Sequence, residues 1–201
     1  MWRTLEMASL VGVVFVCVIG IVLGIMGINI YNGFISLRNQ VERAWANIDV
    51  ILKQRYEEIP QLVKVIEQYT GYEAGVLQQL IEARKHYGHA QSVEDKIKAS
   101  QEMSFALRGV IAIGEQYPEL KSNQNFIQLQ NRVSQLESTI ADRRELYNET
   151  VANFNTRIDQ FPDVFVASLL NYKKQDLYKV DEIEKSAPSL DMNLPKFHKG
   201  T

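Results

Sequence analysis

The chain has 201 residues, 23% of them charged, with a formal net charge of −2 and an isoelectric point near 6.0. That balance supplies no basic stripe for nucleic acid, and a single cysteine, Cys17, excludes an internal disulfide. The charge is also unevenly placed: Met7 to Leu37 carries none, and the remainder is Glu- and Gln-rich.

The first predicted element is the apolar run from Ala8 to Ile30. A helix needs about 20 apolar residues to cross a hydrocarbon core of about 30 Å, and this run suffices. A secretory leader has an apolar core of only about 7–15 residues followed by small residues, whereas this run ends in Ile28-Asn29-Ile30-Tyr31. Gly12, Gly20, Gly24 and Gly27 would each cost a helix in water about 1 kcal/mol against Ala. In lipid they are ordinary. Gly20 and Gly24 form a GxxxG pair, the pattern that lets two spanning helices approach closely. Trp2 and Tyr31 bracket the run as interfacial aromatics do, while Arg3 on one flank is matched by Arg38 and Arg43 on the other, so the orientation in the membrane is undetermined.

Beyond the span, Phe34, Leu37, Val41, Trp45, Ile48, Leu52, Tyr56, Ile59, Val63 and Ile66 recur at steps of three and four, which predicts an amphipathic helix. Pro60 is expected to kink this helix rather than stop it, with the stripe resuming through Leu77 and Leu80 to a terminator at Gly88. A second helix is expected after an N-cap at Ser92, ending at Tyr117-Pro118. A third begins near Ser122 or Asn123 and runs through Phe126, Val133, Ile140, Tyr147, Val151 and Phe154 to Phe161-Pro162. Its register passes through Arg143, which must snorkel or find a buried acceptor. A short apolar piece follows over 164–170.

The predicted fold is all-α: a transmembrane helix continuing into a long antiparallel bundle of three long helices and a short fourth. Its expected parts are an N-terminal tail at 1–7, the span at 8–30, the bundle at 31–172 and an extended or disordered tail at 173–201. The second helix covers only about 39 Å, leaving Phe34, Leu37, Val41, Trp45 and Ile48 to be covered by the fold-back of the segment after Phe161 or by another copy. Together with Gly20 and Gly24, these residues are the expected self-association surface.

Chemistry-bearing patterns are sparse. His86 and His89 have the i, i+3 spacing of two metal ligands, with Glu82, Glu94 and Asp95 near in sequence. A zinc site needs three or four ligands, so a polar hairpin tip is the simpler account and no metal or other cofactor is expected. Glu57 with Glu58, and Asp181 with Glu182 and Glu184, read as solvated faces, since adjacent positions on a helix point about 100° apart. Seven asparagines flanking the stripes, Asn155 among them, are candidates for interhelical hydrogen bonds.

The run Tyr31-Asn32-Gly33-Phe34-Ile35-Ser36-Leu37-Arg38-Asn39-Gln40-Val41-Glu42-Arg43-Ala44-Trp45-Ala46-Asn47-Ile48-Asp49-Val50 resembles the opening of the bacterial LemA family. Lys53-Gln54-Arg55-Tyr56-Glu57-Glu58-Ile59-Pro60, Tyr117-Pro118-Glu119-Leu120, Tyr147-Asn148, Phe154-Asn155 and Phe161-Pro162 continue that resemblance in order, over residues 28 to 170. It implies a membrane-anchored helical bundle without known enzymatic activity, with relatives in magnetosome membranes and an association with membrane-bound M48 metalloproteases. The reading is therefore a non-enzymatic scaffold or adaptor in the bacterial cytoplasmic membrane, self-associating and engaging lipid and other membrane proteins, with no nucleic acid or small-molecule substrate. A transmembrane sensor, and an enzyme using a metal at His86 and His89, are the alternatives.

Overall fold

A computed structural model describes residues 2–68 and 74–179, with the side chains of 2–9, 74 and 113 excepted. The described residues form six helices and no strand: α1 (Trp2–Glu67), α2 (Ala74–His89), α3 (Val93–Gly114), α4 (Pro118–Lys121), α5 (Gln124–Asp159) and α6 (Asp163–Leu169). The all-α expectation holds. α1 joins the apolar run to the first soluble stripe without a break and is long and apolar enough to cross a membrane. Every residue from Leu10 to Met26 is exposed, and among the described side chains Ile30 is the first buried one.

The first soluble helix differs from expectation. Pro60 does sit inside α1, with its ring exposed, but the helix ends at Glu67 instead of continuing to Tyr87. The chain then reverses: Gly88, near the end of α2, packs on the Tyr56 ring, and the Tyr87 hydroxyl donates to Asp49 Oδ1 at 3.3 Å. The intervening sequence holds Thr70 and Gly71, both poor helix formers. Leu77 and Leu80 kept helical register with Ile66 across this stretch, which is why periodicity alone read through it.

The chain divides into two compact units, to which α1 and α5 each contribute one part. Unit 2 comprises Asp49–Asp142 and Tyr178–Thr201. Its four long segments alternate in direction: Lys96 of α3 meets Asp49, Gly109 faces Val76 of α2, and Arg132 of α5 bonds Glu58. Leu52, Ile59, Leu62 and Ile66 of α1 are buried together with Leu80, Met103, Val110, Phe126 and Val133. The cap expected at Ser92 is formed, and Asn123 caps the next long helix. Ser92 Oγ accepts the Asp95 amide at 3.0 Å and Asn123 Oδ1 accepts the amides of Asn125 and Phe126, satisfying donors the first helical turns leave free. Gly114 must lack a side chain, since a Cβ there would collide with the Phe126 ring.

Unit 1 comprises Met1–Ile48 and Arg143–Leu177. Here α5 runs antiparallel to α1, with Trp45 against Tyr147 and Phe34 against Phe154 at ring distances of 5.8 and 6.3 Å. α6 then turns the chain back. Its C-terminus is a Schellman turn: the Tyr172 amide donates to the Ala167 carbonyl and the Asn171 amide to that of Ser168, with Asn171 at φ 53°. Tyr172 is thereby laid on Phe34 at 5.2 Å and on Phe154 at 5.9 Å. Asn155 fixes the next residues, donating to the Gln175 carbonyl and accepting its amide, each at 2.8 Å. Of the two covers expected for this stripe, the fold-back after Phe161 is the one present within the chain.

Candidate functional site

The residues named as a self-association surface fall into two groups. Gly20 and Gly24 lie on the exposed part of α1, with nothing within 4 Å of the space a side chain would take. Phe34, Val41 and Ile48 are buried within the chain, whereas Leu37 and Trp45 are half-buried. Since α5 and Tyr172 cover Phe34, no second copy is required to shield it.

His86 is held in an ion-pair geometry, its Nδ1 2.7 Å from Glu102 Oε2 of α3, beside a groove of about 390 Å³ between α2 and α3. His89 is exposed at the end of α2. Among the described residues no three His, Cys, Asp or Glu side chains come together as a metal set would. The solvated-face reading of the first carboxylate pair is half right. Glu57 is exposed, but Glu58 is buried and its Oε1 receives Arg132 Nε at 2.8 Å. Asp181, Glu182 and Glu184 lie outside the described residues.

The most constrained chemistry in unit 2 surrounds Arg55, whose side chain is 0% exposed. Its Nη1 donates to Ser104 Oγ at 2.7 Å and to Glu137 Oε1 of α5. Nη2 donates to both the carbonyl and the hydroxyl of Ser100, at 3.0 and 2.8 Å. Ser104 Oγ passes a further bond to Glu137 Oε2, and Ser100 Oγ meets the Tyr178 hydroxyl at 2.8 Å. One guanidinium thus ties together α1, α3 and α5, and Ser100 links it to the chain after α6. An arginine suits this task because its planar fork stays charged and presents several fixed donors. Burying it costs several kcal/mol, which such bonds offset only when the geometry is met. Gln101 of α3, next to Ser100, donates to the Lys179 carbonyl and secures the same segment.

Two tyrosines border these interiors. Burial pushes the Tyr87 hydroxyl well above its ordinary range, and the Asp49 carboxylate beside it adds to the shift. Tyr147, which donates to the Asp176 carbonyl at 3.2 Å, is raised by burial first and by Asp176 second.

Sequence reasoning overlooked Arg55 and chose Arg143 as the basic residue in an apolar register. Arg143 is exposed, and its neighbour Arg144 is the half-buried one. The signal for Arg55 was present: Ile48, Leu52, Arg55, Ile59, Leu62 and Ile66 follow alternating steps of four and three, and Ser100 and Ser104 share a face of α3.

Comparison with known proteins places these features in a family. The chain is 21% identical over 174 residues to the magnetosome protein MamQ of Magnetospirillum gryphiswaldense, and equally so over 175 residues to MamQ 2 of Paramagnetospirillum magneticum. Each match covers 74% of this chain, which spans only 64% of the length of those relatives. Protein LemA of Metamycoplasma hominis is 22% identical over 149 residues, covering 74% of this chain and 68% of that protein. The LemA family pattern matches residues 44–192, running beyond residue 170, where the motif resemblance stopped. With its helical bundle and apolar N-terminal helix, the chain belongs to the LemA family.

Proposed function

We propose that this chain is a single-pass anchored scaffold, holding a helical bundle at a bacterial cytoplasmic membrane and engaging other membrane proteins as an adaptor. The observation that carries the reading is the exposed apolar stretch Leu10–Met26 leading into the bundle within one unbroken helix. Such tethering raises the local concentration of any membrane partner, so modest contacts become effective. Self-association through Gly20 and Gly24 fits this reading, because the face is open and backbones can approach closely there. The magnetosome relatives support a membrane setting, and a membrane protease of the M48 type is one class of partner to test.

Cys17 offers a direct test. It lies three residues before Gly20 on the exposed span, so two copies paired on that face bring their thiols together. Oxidising membranes that contain the full chain is expected to give a disulfide dimer that Gly20→Leu weakens. A strictly monomeric product would overturn the pairing. Release of the chain from membranes by alkaline carbonate would overturn the anchor itself.

A further inference from the structure

α6 has its faces reversed with respect to an ordinary surface helix. Asp163 and Ala167, one turn apart, are buried. Phe161, Phe165 and Leu169, also spaced by four, are 80%, 68% and 83% exposed. The first two form an edge-to-face ring pair at 5.9 Å, so the apolar surface is contiguous. A helix facing water ordinarily turns such a stripe inward, and a contiguous exposed apolar patch marks an interaction surface.

The position of this stripe within unit 1 identifies its partner. Arg157, in the last turn of α5, lies against Gly33 and pairs with Asp163 at the start of α6. α5 runs antiparallel to α1, so its end and α6 reach the level of residues just before Gly33. There α1 changes from exposed over Leu10–Met26 to buried at Ile30. The apolar face of α6 thus lies at the level where the exposed stretch of α1 gives way to the bundle. We propose that Phe161, Phe165 and Leu169 insert into the headgroup–acyl boundary of the bilayer, making α6 a second, peripheral membrane contact. The Arg157–Asp163 pair sets the angle at which α6 meets the lipid, and the Schellman turn at Asn171 returns the chain to the bundle.

This inference rests on the anchored reading of α1, and the test separates the two. In the full-length chain with Cys17→Ala, single cysteines replacing Val22, Leu146, Phe165 or Leu169 are labelled with a nitroxide and reconstituted into phosphatidylglycerol–phosphatidylethanolamine vesicles. Collision with oxygen, which concentrates in lipid, is compared with collision with a water-soluble nickel chelate. Labels at 22, 165 and 169 are expected to favour oxygen several-fold, and the label at 146 to favour nickel. If 165 and 169 behave like 146 while 22 stays in lipid, the α6 contact is overturned and the anchor stands. If 22 also behaves like 146, both fail. Low access to both reagents with spin–spin broadening at 165 would assign the face to a second copy and overturn the lipid contact.

Discussion

In the unit that carries the apolar span, Phe34, Phe154 and Tyr172 meet ring against ring. In the other unit a corresponding place between α1 and α5 is taken by a guanidinium wrapped in serine and glutamate oxygens. Ring clusters derive their stability from area and tolerate small shifts of register, because dispersion and the hydrophobic effect are weakly directional. A buried charge network is different: its net stabilisation is small, but the cost of a misplaced partner is large. One helical pair thus carries two kinds of interior, one adaptable and one demanding a single alignment.

The largest effect expected from breaking this contrast is at Arg55. Arg55→Ala should cost about 3–5 kcal/mol, because the inward-facing side of Glu137 loses its partner, and Arg55→Lys should recover less than half by losing the planar fork. Phe34→Ala should cost a similar amount, about 3–5 kcal/mol, but Phe34→Leu should recover most of it. Urea unfolding of the full chain in detergent, followed by circular dichroism, measures both; comparable rescue by Lys and Leu would remove the distinction. Asn171→Val should lose about 1–2 kcal/mol, since a β-branched residue resists the left-handed backbone, whereas Asn171→Gly should be close to neutral. Ser92→Ala should lose about 1 kcal/mol through the α3 cap, seen as faster amide exchange in the first turn of α3.

Alkaline pH sharpens the comparison most gently. Tyr87 and Tyr147 have folded pKa values raised above the ordinary value of about 10, so the folded chain retains protons that the unfolded chain releases. Their contribution to stability is complete below about pH 10 and is lost as pH rises toward the folded values. Tyr87→Phe should flatten the decline in urea midpoint measured from pH 9 to 11.

The sequence was most readable where one physical signal acted alone. The uncharged run located the span, and Ser92 located a helix start because capping is local chemistry. The reversal after Glu67 was hidden because an apolar stripe in register on both sides is compatible with either continuation or return. Arg55 was hidden for a related reason: hydropathy treats a charge as an outward-facing residue, and only its place in the four–three spacing says otherwise. The α6 face was seen as apolar in 164–170, but which side it turns outward depends on Ala167 and Asp163 fitting against the bundle, a tertiary choice.

The segment from Tyr172 to Tyr178 supplies the final ring of one interior and the final hydroxyl of the other, so both are completed by residues close together near the end of the described chain. During synthesis, at about 5–20 residues per second, Phe34 precedes Tyr172 by on the order of ten seconds. Throughout that interval the ring surface of α1 and the Ser100 hydroxyl that receives Arg55 lack these last partners, while the apolar span is already available to the membrane. Native order therefore arrives late and in both units together, and a chain cut short before Tyr172 should be a substrate for quality-control proteolysis rather than a smaller working bundle.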